Sequence, residues 1–87
     1  MGKTRTSWDK AHDDRYRKLM YLLVAARKKL GLSQAALAER LGHHQQFVSR
    51  YETYQRRLDV VEFVEVTKAL GLNATDLIAR LESDSPL

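Results

Sequence analysis

The chain has 87 residues, 44% of them apolar and 30% charged, with a net charge of +4 and no cysteine. That leaves room for one domain and excludes disulfides, thiol catalysis and cysteine-ligated zinc or iron–sulfur sites. No run approaches the ~18 apolar residues of a membrane span, and the polar start MGKTRTSWDK lacks the apolar core of a signal peptide, so a cytoplasmic protein is expected.

Charge is unevenly placed along the chain. Residues 1–30 carry nine Lys/Arg against three acids, residues 31–58 four against two, and residues 59–87 two against six. A side that meets a polyanion has such a pattern, but so has random solvated surface charge.

Residues 1–13 read as a polar N-terminal arm. Trp8 would anchor it by packing on the first helix near Tyr16 and Met20, or would present itself to a partner; Lys3 and Arg5 are alternative minor-groove contacts. The first helix is predicted over 14–30, where Leu19, Leu23, Ala26 and Leu30 recur at helical spacing. Arg27, Lys28 and Lys29 fill its last turn, where cations suit the negative end of the helix dipole. Ser33 reads as the N-cap of a second helix over 33–41, and a third spans 44–52. Asp59 with Glu62 makes a capping box before a fourth helix over 60–70, and Asn73 with Asp76 starts a fifth over 74–82. Gly31, Gly42 and Gly71 each follow a leucine closing an apolar stretch, where a left-handed residue ends a helix. Residues 83–87 read as an acidic tail. The expectation is all-α: a compact five-helix bundle with one domain over 14–82.

The second and third helices carry the most specific pattern. Leu37 and Leu41 face inward with Ala38 between them, Gly42 follows four residues after Ala38, and Val48 and Tyr51 turn inward from the next helix. Two helices cross steeply over a tight turn when the first is bare where the second leans and the turn residue accepts positive φ. An ordinary αα-hairpin has the same spacing, so spacing alone leaves both readings open.

The stretch GLSQAALAERLG-HHQQFVSRYE, with Gln34, Leu37, Ala38, Leu41, Gly42, Val48 and Glu52 in place together, resembles the helix-turn-helix of the phage Cro/repressor family, the XRE-type regulators. The resemblance covers about residues 15–82. It implies a lambda-repressor-like DNA-binding domain, a double-stranded DNA operator as partner and a homodimer. It makes the third helix the recognition helix in the major groove, with Gln45, Gln46, Ser49, Arg50 and His44 as base contacts. Glutamine pairs bidentately with adenine and arginine with guanine, although Arg50 is as readily placed on a phosphate. By the same resemblance Ser33 and Gln34, at the start of the second helix, meet a phosphate, as do Arg56 and Arg57 beyond the recognition helix. Arg27 and Glu52 are implied as a structural ion pair that orients the recognition helix from behind.

Two departures stand inside the motif. Thr53-Tyr54 occupies a turn where the family usually has glycine, so Tyr54 is strained if positive φ persists. His43 and His44 replace an aliphatic residue and a capping Ser or Thr, so the recognition helix is expected to start poorly capped. Three histidines, two of them adjacent, do not make a metal set, and no phosphate loop or nucleophile motif is present. The reading is a repressor with no cofactor, no metal and no enzymatic activity, acting at the nucleoid. The alternative is an antitoxin that also holds a toxin partner and regulates its own operon. The acidic end, with Leu77, Ile78 and Leu81 on one helix, is either the dimer surface or the last part of the monomer core.

Overall fold

A computed structural model describes residues 7–83, with side chains from residue 12 onward. It contains five helices: α1 Ser7–Lys29, α2 Gln34–Leu41, α3 Gln45–Glu52, α4 Val60–Ala69 and α5 Ala74–Ser83. The fold is the expected all-α bundle, and α2 to α5 begin and end within a residue or so of their predicted bounds.

The first helix differs. It begins at Ser7, taking in the second half of the segment read as an arm. No glycine or proline interrupts residues 3–30, and Asp13 and Asp14 lie in the second turn, near the positive end of the helix dipole. Residues 7–13 are therefore part of the helix and not a loose arm. The readings for Lys3, Arg5, the Trp8 side chain and residues 84–87 fall outside the described residues.

Every helix contributes to one core. Leu19, Met20 and Leu23 come from α1, Leu37 and Ala38 from α2, Phe47, Val48 and Tyr51 from α3, Phe63 and Val66 from α4, and Leu77 from α5. Loop residues Leu32, Leu58 and Leu72 pack against it. Leu77 is buried and Leu81 half-buried, so the apolar stripe of α5 mainly completes the monomer; only Ile78 is exposed. Leu77 is committed to the monomer core because α5 closes it against α1 and α4, while Ile78 stays open on the same helix.

The helix ends share one device. After α2, Gly42 N–H donates to Glu39 O (3.1 Å) and His43 N–H to Ala38 O (2.9 Å), with Gly42 at φ 71°. This paired closure satisfies two carbonyls left over at the helix end. After α3 the same bonds recur, from Tyr54 N–H to Tyr51 O (3.3 Å) and from Gln55 N–H to Arg50 O (2.8 Å). Tyr54 holds φ 64° there, the one non-glycine residue at positive φ among the described residues. The turn thus keeps a glycine-type backbone in spite of its sequence, at a steric cost of about 1–2 kcal/mol.

Candidate nucleic-acid interface

The site is built on the crossing of α2 and α3. Leu37 and Val48 are fully buried at that crossing, and Ala38 beside them has only a methyl group to accommodate. Close approach fixes α3 against α2 and turns one side of α3 outward. Ser33 caps α2, its Oγ accepting from Ala36 N–H at 3.0 Å. His44 occupies the N-cap of α3 in extended backbone, and its side chain accepts no hydrogen bond from the first turn. That turn therefore keeps amides that an incoming anion can satisfy.

Along α3, Phe47, Val48 and Tyr51 are buried while Gln45, Gln46 and Arg50 are exposed and Ser49 is half-buried. The spacing of three and four residues puts apolar and polar groups on opposite sides, as an inserted helix requires. Thr53 continues the outer line, its Oγ1 donating to Ser49 O at 2.8 Å.

Behind the helix lies a buried polar cluster. Arg27 Nε donates to Glu52 Oε2 at 2.7 Å and Arg27 Nη2 to Glu52 Oε1 at 2.9 Å, with both side chains at most 10% exposed. Arg27 Nη1 adds a bond to Leu32 O at 2.8 Å, which ties the end of α1 to the same point. Gln34 Nε2 donates to Glu52 Oε1 at 2.9 Å, so its carboxamide, assigned to a phosphate by resemblance, is spent in part on this cluster. The hydrogen bonds that Arg27 donates to Glu52 raise its pKa above the ordinary value, outweighing burial. The neighbouring Tyr51 hydroxyl is buried with no hydrogen-bond partner, and desolvation raises its pKa well above the usual phenol range.

The two arginines beyond α3 are held by the protein itself. Arg56 makes a fork with Glu62, Nη1 to Oε1 at 2.8 Å and Nη2 to Oε2 at 2.5 Å, while its Cζ sits 4.9 Å from the Phe47 ring centroid. Glu62 also accepts from Asp59 N–H at 3.0 Å, and Asp59 Oδ1 in turn accepts from Glu62 N–H at 2.7 Å, which is the predicted capping box. The Arg56 hydrogen bonds, followed by the Asp59 amide, hold the Glu62 carboxyl down at about 2. Arg57 lies with its Cζ 4.4 Å from the Tyr16 ring centroid, and its Nη2 donates to Asp13 Oδ1 at 3.3 Å.

One part of this surface is absent from the sequence reading. The His43 ring stacks on Phe47 at 4.2 Å between centroids and 15° between planes, and Phe47 meets Tyr51 edge-on at 5.5 Å. The signal was present in the aromatic residues at 43, 47 and 51, spaced four apart, with His43 just ahead of the N-cap of α3. With His44, Gln46, Arg50 and Arg56, the rings of His43 and Phe47 line a concave surface of about 390 Å³ at the entry of α3. Amide, imidazole and guanidinium groups converge there, the chemistry that reads base edges and grips phosphates. Among the described residues no group of three or more His, Asp or Glu is placed to hold a metal ion, and no helix is long and apolar enough to cross a membrane.

Comparison with known proteins gives matches of two kinds. Residues 23–77 match the sequence profile of the helix-turn-helix family, well over half of the chain. A solved structure of an XRE-family like protein from Pseudomonas syringae pv. tomato str. DC3000 is 39% identical, with a TM-score of 0.89 over 94% of this chain and 100% of that one. No curated protein sequence matches.

Proposed function

Because the chain belongs to the XRE-type helix-turn-helix family and is a DNA-binding regulator of that kind, we propose that it binds a palindromic duplex operator as a homodimer and represses transcription by occupying it. The observation that carries this reading is the outward row of Gln45, Gln46 and Arg50 on a helix whose other side is locked into the core and backed by Arg27 and Glu52. In this reading Gln45 and Gln46 pair with adenine edges, Arg50 takes a guanine or a phosphate, and His44 and Ser49 contribute at the entry and flank. Ser33, Gln34 and the free amides of the α2 N-terminus meet the backbone, as do Arg56 and Arg57. The basic front of the chain draws in DNA without reading it, and uncharged glutamines set the sequence.

A second copy has a surface to meet. Val60 and Val61 open α4 at 79% and 66% exposed, the most exposed large aliphatic side chains among the described residues. Sedimentation at micromolar concentration is expected to give twice the 10.0 kDa chain mass, and a persistent monomer on and off DNA overturns the dimer. The half-sites of a selected operator should lie about one helical turn, roughly 34 Å, apart. Gln45→Ala or Gln46→Ala should cost about 1–3 kcal/mol on that operator and relax the preference at particular bases. Equal weakening on every duplex would remove the glutamines from base readout.

A further inference from the structure

The residues that match the helix-turn-helix profile begin at 23, and the half of α1 before them has its own work to do. Tyr16 and Arg17 project from that half onto the loop after the recognition helix. The Arg17 Cζ lies 4.4 Å from the Tyr54 ring centroid, and Arg57 from the loop lies at the same 4.4 Å over Tyr16. The two arginine–tyrosine pairs line, with Asp13, a cavity of about 160 Å³. A guanidinium held over a ring still has N–H groups to offer an anion.

Tyr54 supplies an independent observation. It takes the left-handed position that Gly31, Gly42 and Gly71 take at the other paired closures. A ring is kept there against a steric penalty, and what the ring does that glycine cannot is support Arg17. The charges favour an anion. Arg17 and Arg57 face one carboxylate, Asp13, whose Oδ1 accepts from Arg57 and lies 3.8 Å from His12 Nδ1. The Tyr16 oxygen accepts from Leu58 N–H at 3.1 Å, which leaves its own O–H as a further donor. The space corresponds to about five waters, the size class of one phosphate group.

We infer that Arg17 and Arg57, mounted on Tyr54 and Tyr16, form a phosphate-binding pocket. Two sources share this chemistry: a backbone phosphate of duplex DNA beside the recognition helix, and a free phosphate. The first rests on the DNA-binding reading above and extends the footprint beyond the family core.

The test uses the full chain in two arms. In the first, binding to a selected operator is followed by fluorescence anisotropy between 50 and 200 mM salt, with ethylation interference on the same duplex. Arg17→Ala is expected to reduce the salt slope by about one and to erase interference at one phosphate. Tyr54→Gly keeps both charges and relieves the turn; it should leave the melting temperature in place and lower affinity several-fold. In the second arm inorganic phosphate is titrated into DNA-free protein while the Arg17 and Arg57 side-chain nitrogens are followed by NMR. A response there with an unchanged DNA slope assigns the pocket to free phosphate. An unchanged slope and interference pattern together with no NMR response overturns the inference. If the wild-type chain selects no duplex, the DNA reading fails by itself and the NMR arm alone decides the pocket.

Discussion

Glu52→Ala tests the cluster that holds the recognition helix in place. In the native protein two N–H groups of Arg27 are taken up by Glu52, at 2.7 and 2.9 Å, and the pair is almost wholly removed from water. The substitution leaves Arg27 buried with Leu32 O as its remaining acceptor and strands the amide of Gln34. Leaving one partner of such a pair uncompensated costs about 3–5 kcal/mol. A chain of this length has a total stability of roughly 4–13 kcal/mol at the usual stability per residue. The single variant should therefore be partly unfolded or close to it, with its urea midpoint lowered by at least roughly 1 M. The double variant Arg27→Met/Glu52→Leu is expected to recover much of that loss, because neither charge remains to be desolvated and half-buried Gln34 can turn to water. Circular dichroism in urea on the two single variants and the double gives the coupling energy directly. If Glu52→Ala costs under 1 kcal/mol and the changes add, the pair is no stronger than a surface contact and the reasoning is wrong. If the double variant folds and still binds its operator, the pair is structural rather than a DNA contact.

The turns provide a contrasting pair. Gly42→Ala meets no atom within 4 Å of the new Cβ, so its whole cost, about 1–2 kcal/mol in thermal unfolding, comes from φ 71°. Tyr54→Gly should be close to neutral in the same assay, since relief of a similar penalty offsets loss of the Arg17 contact, worth about 0.5–1 kcal/mol at an exposed site. A large loss in Tyr54→Gly would show that the ring is a core element. Glu62 sets a pH dependence. Its carboxyl is held at about 2 in the folded chain, below the ordinary 4.5, so its stabilisation is complete above pH 4.5 and is lost as pH falls from there towards 2. Urea titrations across that window should show Glu62→Gln with a flatter acid limb than the wild type, and parallel limbs would refute the assignment.

The helices and their order are legible in the amino-acid pattern. Periodic leucines, the capping residues Ser33, Asp59 and Asn73, and the glycine stops at 31, 42 and 71 act within a few residues of one another, so local rules suffice to read them. The helix-turn-helix was legible for the same reason, because Ala38, Gly42 and Val48 bring a whole crossing into one short stretch of chain. The start of α1 was not, since a solvated helix and a loose polar arm share a composition. Nor could sequence place Ile78 outside while Leu77 and Leu81 join the core, because that depends on how α5 meets α1 and α4.

Where the cations go depends on the closed core. In sequence Arg17, Arg56 and Arg57 are three more positive charges in a basic region. In the fold Arg56 is locked to Glu62 over Phe47, while Arg17 and Arg57 rest on rings brought from 37 and 41 residues away along the chain. Long flexible side chains take their role from whatever packing puts beside them. Local sequence rules reach about one turn of helix, and these contacts form only when the core has closed.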